Sequence, residues 1–147
     1  MLQEKFLTQR LSPHFTFEEL TKTSVQPYKL LNTLLAKEYI NNLTLLANYL
    51  LEPARSILQT ALIITSGYRC PALNKEVGGN KNSQHLNATA ADFIVKNNIS
   101  LEDIFTKLKE SPFLNYGQLI LEKGWIHLSL GAPFRSLYKC HESFKIL

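Results

Sequence analysis

The sequence predicts an α+β fold, in which N-terminal helices pack on a small, mainly antiparallel sheet that carries a site in a groove. Two observations predict it. Apolar residues recur at helical spacing over residues 29–60, whereas short β-rich runs mixed with helical segments follow from residue 61. Helices followed by strands are typical of α+β proteins. The 147 residues, 45% hydrophobic and 19% charged, suit one globular domain over residues 1–147.

The N-terminal part predicts a short helix and then a long helical region. Thr16 and Glu19 have the spacing of a capping box, so a helix is expected to begin at Thr16. Over residues 29–60, leucines at helical spacing predict two helical pieces. Asn41-Asn42 marks the expected break, and Pro53 is expected to kink or restart the helix.

The second half predicts strands with two further helices between them. The run ALIITSGY at residues 61–68 and the run at 90–95, which contains Asp92, are expected to be strands. A short helix at 72–77 closes at Gly78-Gly79. Ser100, followed by acidic residues, predicts the N-cap of a helix that runs to about Glu110.

The segments GQLILE and WIHLSL predict a β-hairpin around a two-residue turn, Lys123-Gly124. In this register Ile120 pairs with His127, and paired residues share a face of the sheet. One face then consists of leucines and isoleucine. The other face consists of Gln118, Ile120, Glu122, Trp125, His127 and Ser129. Glu122 thus lies diagonal to His127. A solvated face is the alternative, and it requires Trp125 and Ile120 to face water.

Charge and cysteine content limit the classes of function. The formal net charge is +4, but the lysines are scattered and form no patch interleaved with aromatic residues, so nucleic-acid binding is not favoured. Two cysteines fit synthesis in a reducing cytosol, although one bridge between Cys70 and Cys140 is compatible with them. The first residues, MLQEKFLTQRLSPHF, contain no apolar segment, so no signal peptide is expected. The most apolar stretches of the chain are interrupted well before 18 residues, so no membrane span is expected.

His85, Asp92 and His127 are the candidate metal ligands. A hydrolytic zinc site has three protein ligands and one open position, and two imidazoles with one carboxylate meet that requirement. The small residues between His85 and Asp92 allow a turn that brings these two together. Taken without His127, the pair is weak evidence for a metal site, and a loop histidine with a capping aspartate is the favoured interpretation.

The neighbouring residues supply the other groups that peptide hydrolysis needs. Glu122 can take a proton from water and pass it to the leaving amine. Arg69, Ser83 or Gln84 can stabilise the oxyanion, and the planar fork of Arg69 also suits a peptide carboxylate. A surface arginine that follows a strand is the alternative interpretation of Arg69. Trp125, on the same face as Glu122, is a further candidate substrate contact.

The segments SGYRCPALNKEVGGNKNSQHLNATAAD and QLILEKGWIHLSL resemble the zinc D-alanyl-D-alanine carboxypeptidase family, which includes phage peptidoglycan endopeptidases and is related in fold to lysostaphin-type peptidases and the hedgehog domain. The resemblance covers residues 13–131. It implies Zn²⁺ held by His85, Asp92 and His127, and Arg69 binding the substrate carboxylate or the oxyanion. Two positions depart from the family pattern: Ala88 replaces a glycine, and Gly124 stands where the catalytic acid often lies, which leaves Glu122 as the base.

The resemblance implies a zinc metallopeptidase that cleaves peptidoglycan stem peptides, as a carboxypeptidase or an endopeptidase. Without a signal peptide, such an enzyme would act on the wall after release from the cytoplasm, as a phage lysin does, or as part of a phage particle. The alternative is a non-catalytic peptide- or wall-binding module of a phage particle. The scissile bond and the oligomeric state stay open at the level of sequence.

Overall fold

The computed structural model describes residues 2–131 and 143–146, and it has the predicted α+β architecture. The helices are α1 (Leu2–Leu7), α2 (Lys29–Ala36), α3 (Ile40–Leu46), α4 (Glu52–Leu58), α5 (Pro71–Glu76) and α6 (Leu101–Glu110). The strands are β1 (Ile63–Ser66), β2 (Ala90–Ile94), β3 (Tyr116–Leu121), β4 (Ile126–Leu130) and β5 (Ser143–Ile146).

The five strands form one mainly antiparallel sheet in the order β1-β2-β4-β3-β5. The pairs β1–β2, β2–β4 and β3–β4 are antiparallel, and β5 runs parallel to β3. All five residues of β4, the strand between β2 and β3, are buried. The residues of the predicted apolar hairpin face are buried as expected: Leu119, Leu121, Ile126, Leu128 and Leu130.

The helical region over residues 26–58 confirms the predicted helical spacing but breaks at a different place. A 3-10 turn, Lys37–Tyr39, separates α2 from α3, so the expected break at Asn41-Asn42 is wrong. Asn42 lies within α3, and its side-chain Nδ2 donates to the carbonyl of Asn87 at 2.9 Å. Pro53 lies in the first turn of α4, directly after a π-helical segment, Ala47–Leu51. Proline has no N–H to donate, and this position at the start of a helix accommodates it.

The capping box near the N-terminus forms, but no helix follows it. Thr16 N donates to Glu19 Oε2 at 2.9 Å, and Glu19 N donates to Thr16 Oγ1 at 3.3 Å. The chain then makes only turns, so the predicted helix is wrong. Tertiary hydrogen bonds explain the difference. The carbonyls of Leu20 and Thr21, which a continuing helix would use internally, accept instead from Tyr68 N at 2.8 Å and from Asn32 Nδ2 at 2.7 Å.

Helix α6 and the remaining predicted elements occur where the sequence places them. The side chain of Ser100 accepts a hydrogen bond from Asp103 N, which confirms the N-cap. Cys70 is buried, while Cys140, the other half of the compatible bridge, lies outside the described residues. Within the described residues, no helix is long and apolar enough to cross a membrane.

Candidate functional site

The hairpin of β3 and β4 has the predicted register and carries half of the site. Glu122 N donates to the carbonyl of Trp125 at 2.9 Å across the turn, and Ile120 pairs with His127. Gly124 has a φ of 105°, a conformation that favours glycine over any residue with a Cβ. Strand β2 lies on the other side of β4 and places Asp92 directly opposite His127.

His85 reaches the same place from a short 3-10 turn, Gln84–Asn87. The side chain of Ser83 caps this turn by accepting from His85 N at 3.2 Å. Ala88 ends the turn in the left-handed conformation, with a φ of 60°, and the chain then enters β2. The small residues between His85 and Asp92 therefore form the reversal that the sequence predicts.

The side chains of His85, Asp92 and His127 converge on one point. Asp92 Oδ1 lies 3.2 Å from His85 Nε2 and 2.9 Å from His127 Nδ1. One potential ligand atom from each residue lies within 4.8 Å of the other two, and all three residues are buried. These residues could therefore hold a metal ion, as predicted.

Hydrogen bonds on the far side of each imidazole favour a cation at this point. His85 Nδ1 donates to the carbonyl of Gly67 at 2.6 Å, so in the neutral ring Nε2 carries a lone pair facing the carboxylate. His127 Nε2 donates to Gln118 Oε1 at 3.3 Å, which directs the lone pair of Nδ1 toward Asp92 in the same way. The near nitrogen of each ring and the carboxylate oxygen are then the atoms that a metal ion would bind.

The pKa shifts of His85 and Asp92 also suit metal binding, which requires a neutral imidazole and an ionised carboxylate at these two positions. Burial lowers the pKa of His85, despite the opposing effect of Asp92, and so favours the neutral ring. Burial acts to raise the pKa of Asp92, but its contacts with His85 and His127 outweigh burial and hold that pKa well below its usual range.

The cluster lies in a groove of about 1060 Å³ that contains every other predicted site residue. Arg69 lines it, with Nη2 donating to Ser83 Oγ at 3.2 Å and with Nε buried without a partner among the described residues. Burial lowers the pKa of Arg69, an effect that the charge of Asp92 opposes. The remaining predicted residues that line the groove are Ser83, Gln84, Glu122 and Trp125.

A protein-family model described as Peptidase M15 matches residues 13–129, which includes all of these groove residues. The chain belongs to the peptidase M15 family. This confirms the resemblance to zinc D-alanyl-D-alanine carboxypeptidases, and M15 is a family of metallopeptidases. No curated protein matches the chain significantly.

Sequence reasoning missed the residues that orient the groups of this M15 site. Gln118 was placed on the correct face, but its hydrogen bond to His127 was not predicted. No sequence motif identifies the carbonyl of Gly67 or the side chain of Asn32 as a group that orients a site residue. For Asn32 one signal exists, since it is an amide among leucines in the helix sequence KLLNTLLA.

We expect Ala88→Gly to change the free energy of unfolding by no more than about 1 kcal/mol. Relief of the left-handed conformation favours glycine by roughly 1–2 kcal/mol. Its extra freedom in the unfolded state costs about 0.4–1 kcal/mol, and the lost buried methyl costs about 0.8 kcal/mol. Urea unfolding measures the change. Ala91→Gly is the matched control, because Ala91 is equally buried and has no positive φ, so glycine there should only destabilise. Equal losses at both positions would contradict the assignment of strain to Ala88.

Proposed function

We propose that this chain is a zinc metallopeptidase that hydrolyses peptide bonds in peptidoglycan stem peptides, as a carboxypeptidase or an endopeptidase. The observation that carries the proposal is the convergence of His85, Asp92 and His127 in a groove that also contains a carboxylate and an arginine, in a chain of the M15 family. The family supports a peptidase, and the groove contents support the finer assignment.

The three buried side chains would hold the zinc ion through His85 Nε2, a carboxylate oxygen of Asp92 and His127 Nδ1. Zinc in such a ligand set supplies Lewis acidity, which lowers the pKa of water to about 7 and polarises a carbonyl group. The hydrogen bonds from the imidazoles to Gly67 and Gln118 keep the ring nitrogens in the orientation that binding needs.

Glu122 is the proposed general base. It directly follows β3 and lies two residues after Ile120, the residue that pairs with His127, so it shares a face of the hairpin with His127. It also lines the groove. Its carboxylate would take the proton of the attacking water and deliver it to the nitrogen of the leaving amine. The side chain is partly exposed to the groove, which lets it reach both positions.

Arg69 is the proposed contact for the substrate carboxylate or the oxyanion. Its Nε–H is buried and unpaired among the described residues, so it is available to a ligand acceptor, and its Nη2 is oriented by Ser83. The Oε1 atom of Gln84 is also buried without a partner there, and it can accept a peptide N–H. Trp125 is 37% exposed at the groove and offers an apolar surface to the peptide.

The test is hydrolysis of purified peptidoglycan by the zinc-loaded protein, with and without a chelator. We expect lysis that the chelator abolishes and zinc restores, and mass spectrometry of a defined stem peptide will identify the bond cleaved. Activity that survives chelation would exclude the zinc mechanism. Binding without cleavage across several wall chemotypes would favour the alternative, a non-catalytic peptide- or wall-binding module such as part of a phage particle.

A further inference from the structure

Asn32 is a fully buried amide on α2, and its hydrogen bonds reach the chain segment that carries Arg69. Its Nδ2 donates to the carbonyls of Thr21 at 2.7 Å and Tyr68 at 2.9 Å, and its Oδ1 accepts from Cys70 N at 2.7 Å. A buried amide with both ends satisfied is costly to replace, because each backbone group left unpaired costs about 1–3 kcal/mol. The side chain therefore fixes the chain segments that it joins.

Two of these three contacts flank Arg69. The carbonyl of Tyr68 belongs to the peptide unit before Arg69, and the N–H of Cys70 belongs to the one after it. The backbone N–H of Arg69 itself donates to the carbonyl of His85 at 3.0 Å. The position of the Arg69 Cα is thus set on one side by the turn that carries His85, and on the other side by Asn32.

The neighbouring Gly67, whose carbonyl orients His85, is held in a different way. A Cβ added at Gly67 would collide with the backbone carbonyl of Leu20, and Tyr68 N donates to that same carbonyl at 2.8 Å. Gly67 therefore has a direct contact of its own with Leu20, whereas Asn32 binds the next residue of each segment, Thr21 and Tyr68. A change at Asn32 should move the arginine more than it moves the metal ligands.

We propose that Asn32 is a positioning residue for Arg69. Asn32 holds the guanidinium group at the distance from the cluster of potential metal ligands that substrate binding requires. The proposal rests on the proposed function for its effect on catalysis, but the placement of Arg69 can be measured without catalysis. Displacements of about 1 Å in such a group can cost about 10²-fold in rate.

Asn32→Asp is the most direct variant. The new side chain has the same shape and still accepts from Cys70 N, but it can no longer donate to Thr21 and Tyr68, and it places a carboxylate oxygen against their carbonyls. We expect kcat/KM to fall by about tenfold or more, mainly through KM. Zinc affinity, measured by competition with a chelator, should not fall by the roughly 10–100-fold that is typical when a residue that orients a metal ligand is replaced.

Thr21→Val is the matched control for a general loss of stability. Thr21 is as buried as Asn32, and its Oγ1 donates to the carbonyl of Phe17 at 2.8 Å. Valine removes this hydroxyl but keeps the backbone carbonyl of residue 21, to which Asn32 donates. We expect Thr21→Val to lower the melting temperature and leave KM unchanged. In an Arg69→Ala background, Asn32→Asp should cause no further loss in kcat/KM, because the group that it positions is absent.

The NMR signal of the Arg69 Nε–H separates this inference from the proposed function. Asn32→Asp should shift or broaden that signal, and Thr21→Val should not, even if the protein proves to bind peptides without cleaving them. If Asn32→Asp does not fold, Asn32→Ser serves the same purpose, since a hydroxyl and a recruited water can satisfy the backbone groups without fixing their spacing. An unchanged Arg69 signal, an additive loss in the Arg69→Ala background or a parallel loss of zinc affinity would each overturn the inference.

Discussion

Glu122→Gln is expected to reduce kcat by about 10²–10⁴-fold while zinc affinity stays unchanged. The range is that of a general base removed from a positioned site. Glutamine keeps the shape and the hydrogen-bonding reach of glutamate, but its amide cannot take a proton from water. Glu122 is not one of the three residues whose ligand atoms converge, so the loss should appear in turnover and not in metal content. Stopped assays on a defined stem peptide, with zinc measured on the same samples, test this.

Glu76→Gln is the matched control for this experiment. Glu76 is an exposed glutamate at the end of α5 and does not line the groove, so the same loss of one charge should leave turnover unchanged. Full activity in Glu122→Gln would reject the glutamate as the base. A loss of zinc in that variant would show that Glu122 supports the metal site instead.

The hairpin shows why part of the site could be predicted from sequence. A two-residue turn fixes the pairing of the strands on both sides of it, and alternation along each strand then fixes which residues share a face. The observed pairing of Ile120 with His127 and of Gln118 with Ser129 confirms that register. The groove position of Glu122 follows from the same local geometry, and no knowledge of the remaining chain is needed.

Features that depend on distant segments could not be predicted in this way. The Thr16–Glu19 capping box forms locally, but the carbonyls of Leu20 and Thr21 bind Tyr68 N and Asn32 Nδ2 instead of continuing a helix, and the sequence does not reveal these distant partners. Asn42 lies within α3, and its side chain binds the carbonyl of Asn87, 45 positions away in the chain. Similarly, the partners of Asn32 lie 11 to 38 positions away, so only the folded chain identifies its role.

Metal binding should have the largest effect on stability, because the three potential ligand residues meet only in the folded chain, so a bound ion stabilises the folded state alone. Zinc at about 1,000 times its Kd stabilises the folded state by about 4 kcal/mol. At about 2–4 °C per kcal/mol for a chain near this size, the melting temperature should rise by about 8–16 °C. Calorimetry of the metal-free protein with added zinc measures this rise. It also follows that Asp92→Asn should remove most of the rise.

The melting temperatures of the unsubstituted protein and of Asp92→Asn, each without zinc, give a second test of the role of Asp92. In the metal-free protein, the contacts with His85 and His127 hold the pKa of Asp92 well below its usual range, so the ionised carboxylate stabilises the folded state, and asparagine, which carries no charge, loses that stabilisation. Asp92→Asn should therefore melt below the unsubstituted protein without zinc, and the difference between the two melting temperatures should widen when zinc is added. Asp103→Asn, in the first turn of α6, is the control that keeps the full response to zinc, because Asp103 is exposed and remote from the cluster. A full zinc response in Asp92→Asn would mean that the metal binds elsewhere. A difference between the two melting temperatures that does not widen on adding zinc would mean that Asp92 contributes to folding only through its contacts with the histidines, and not by binding a metal ion.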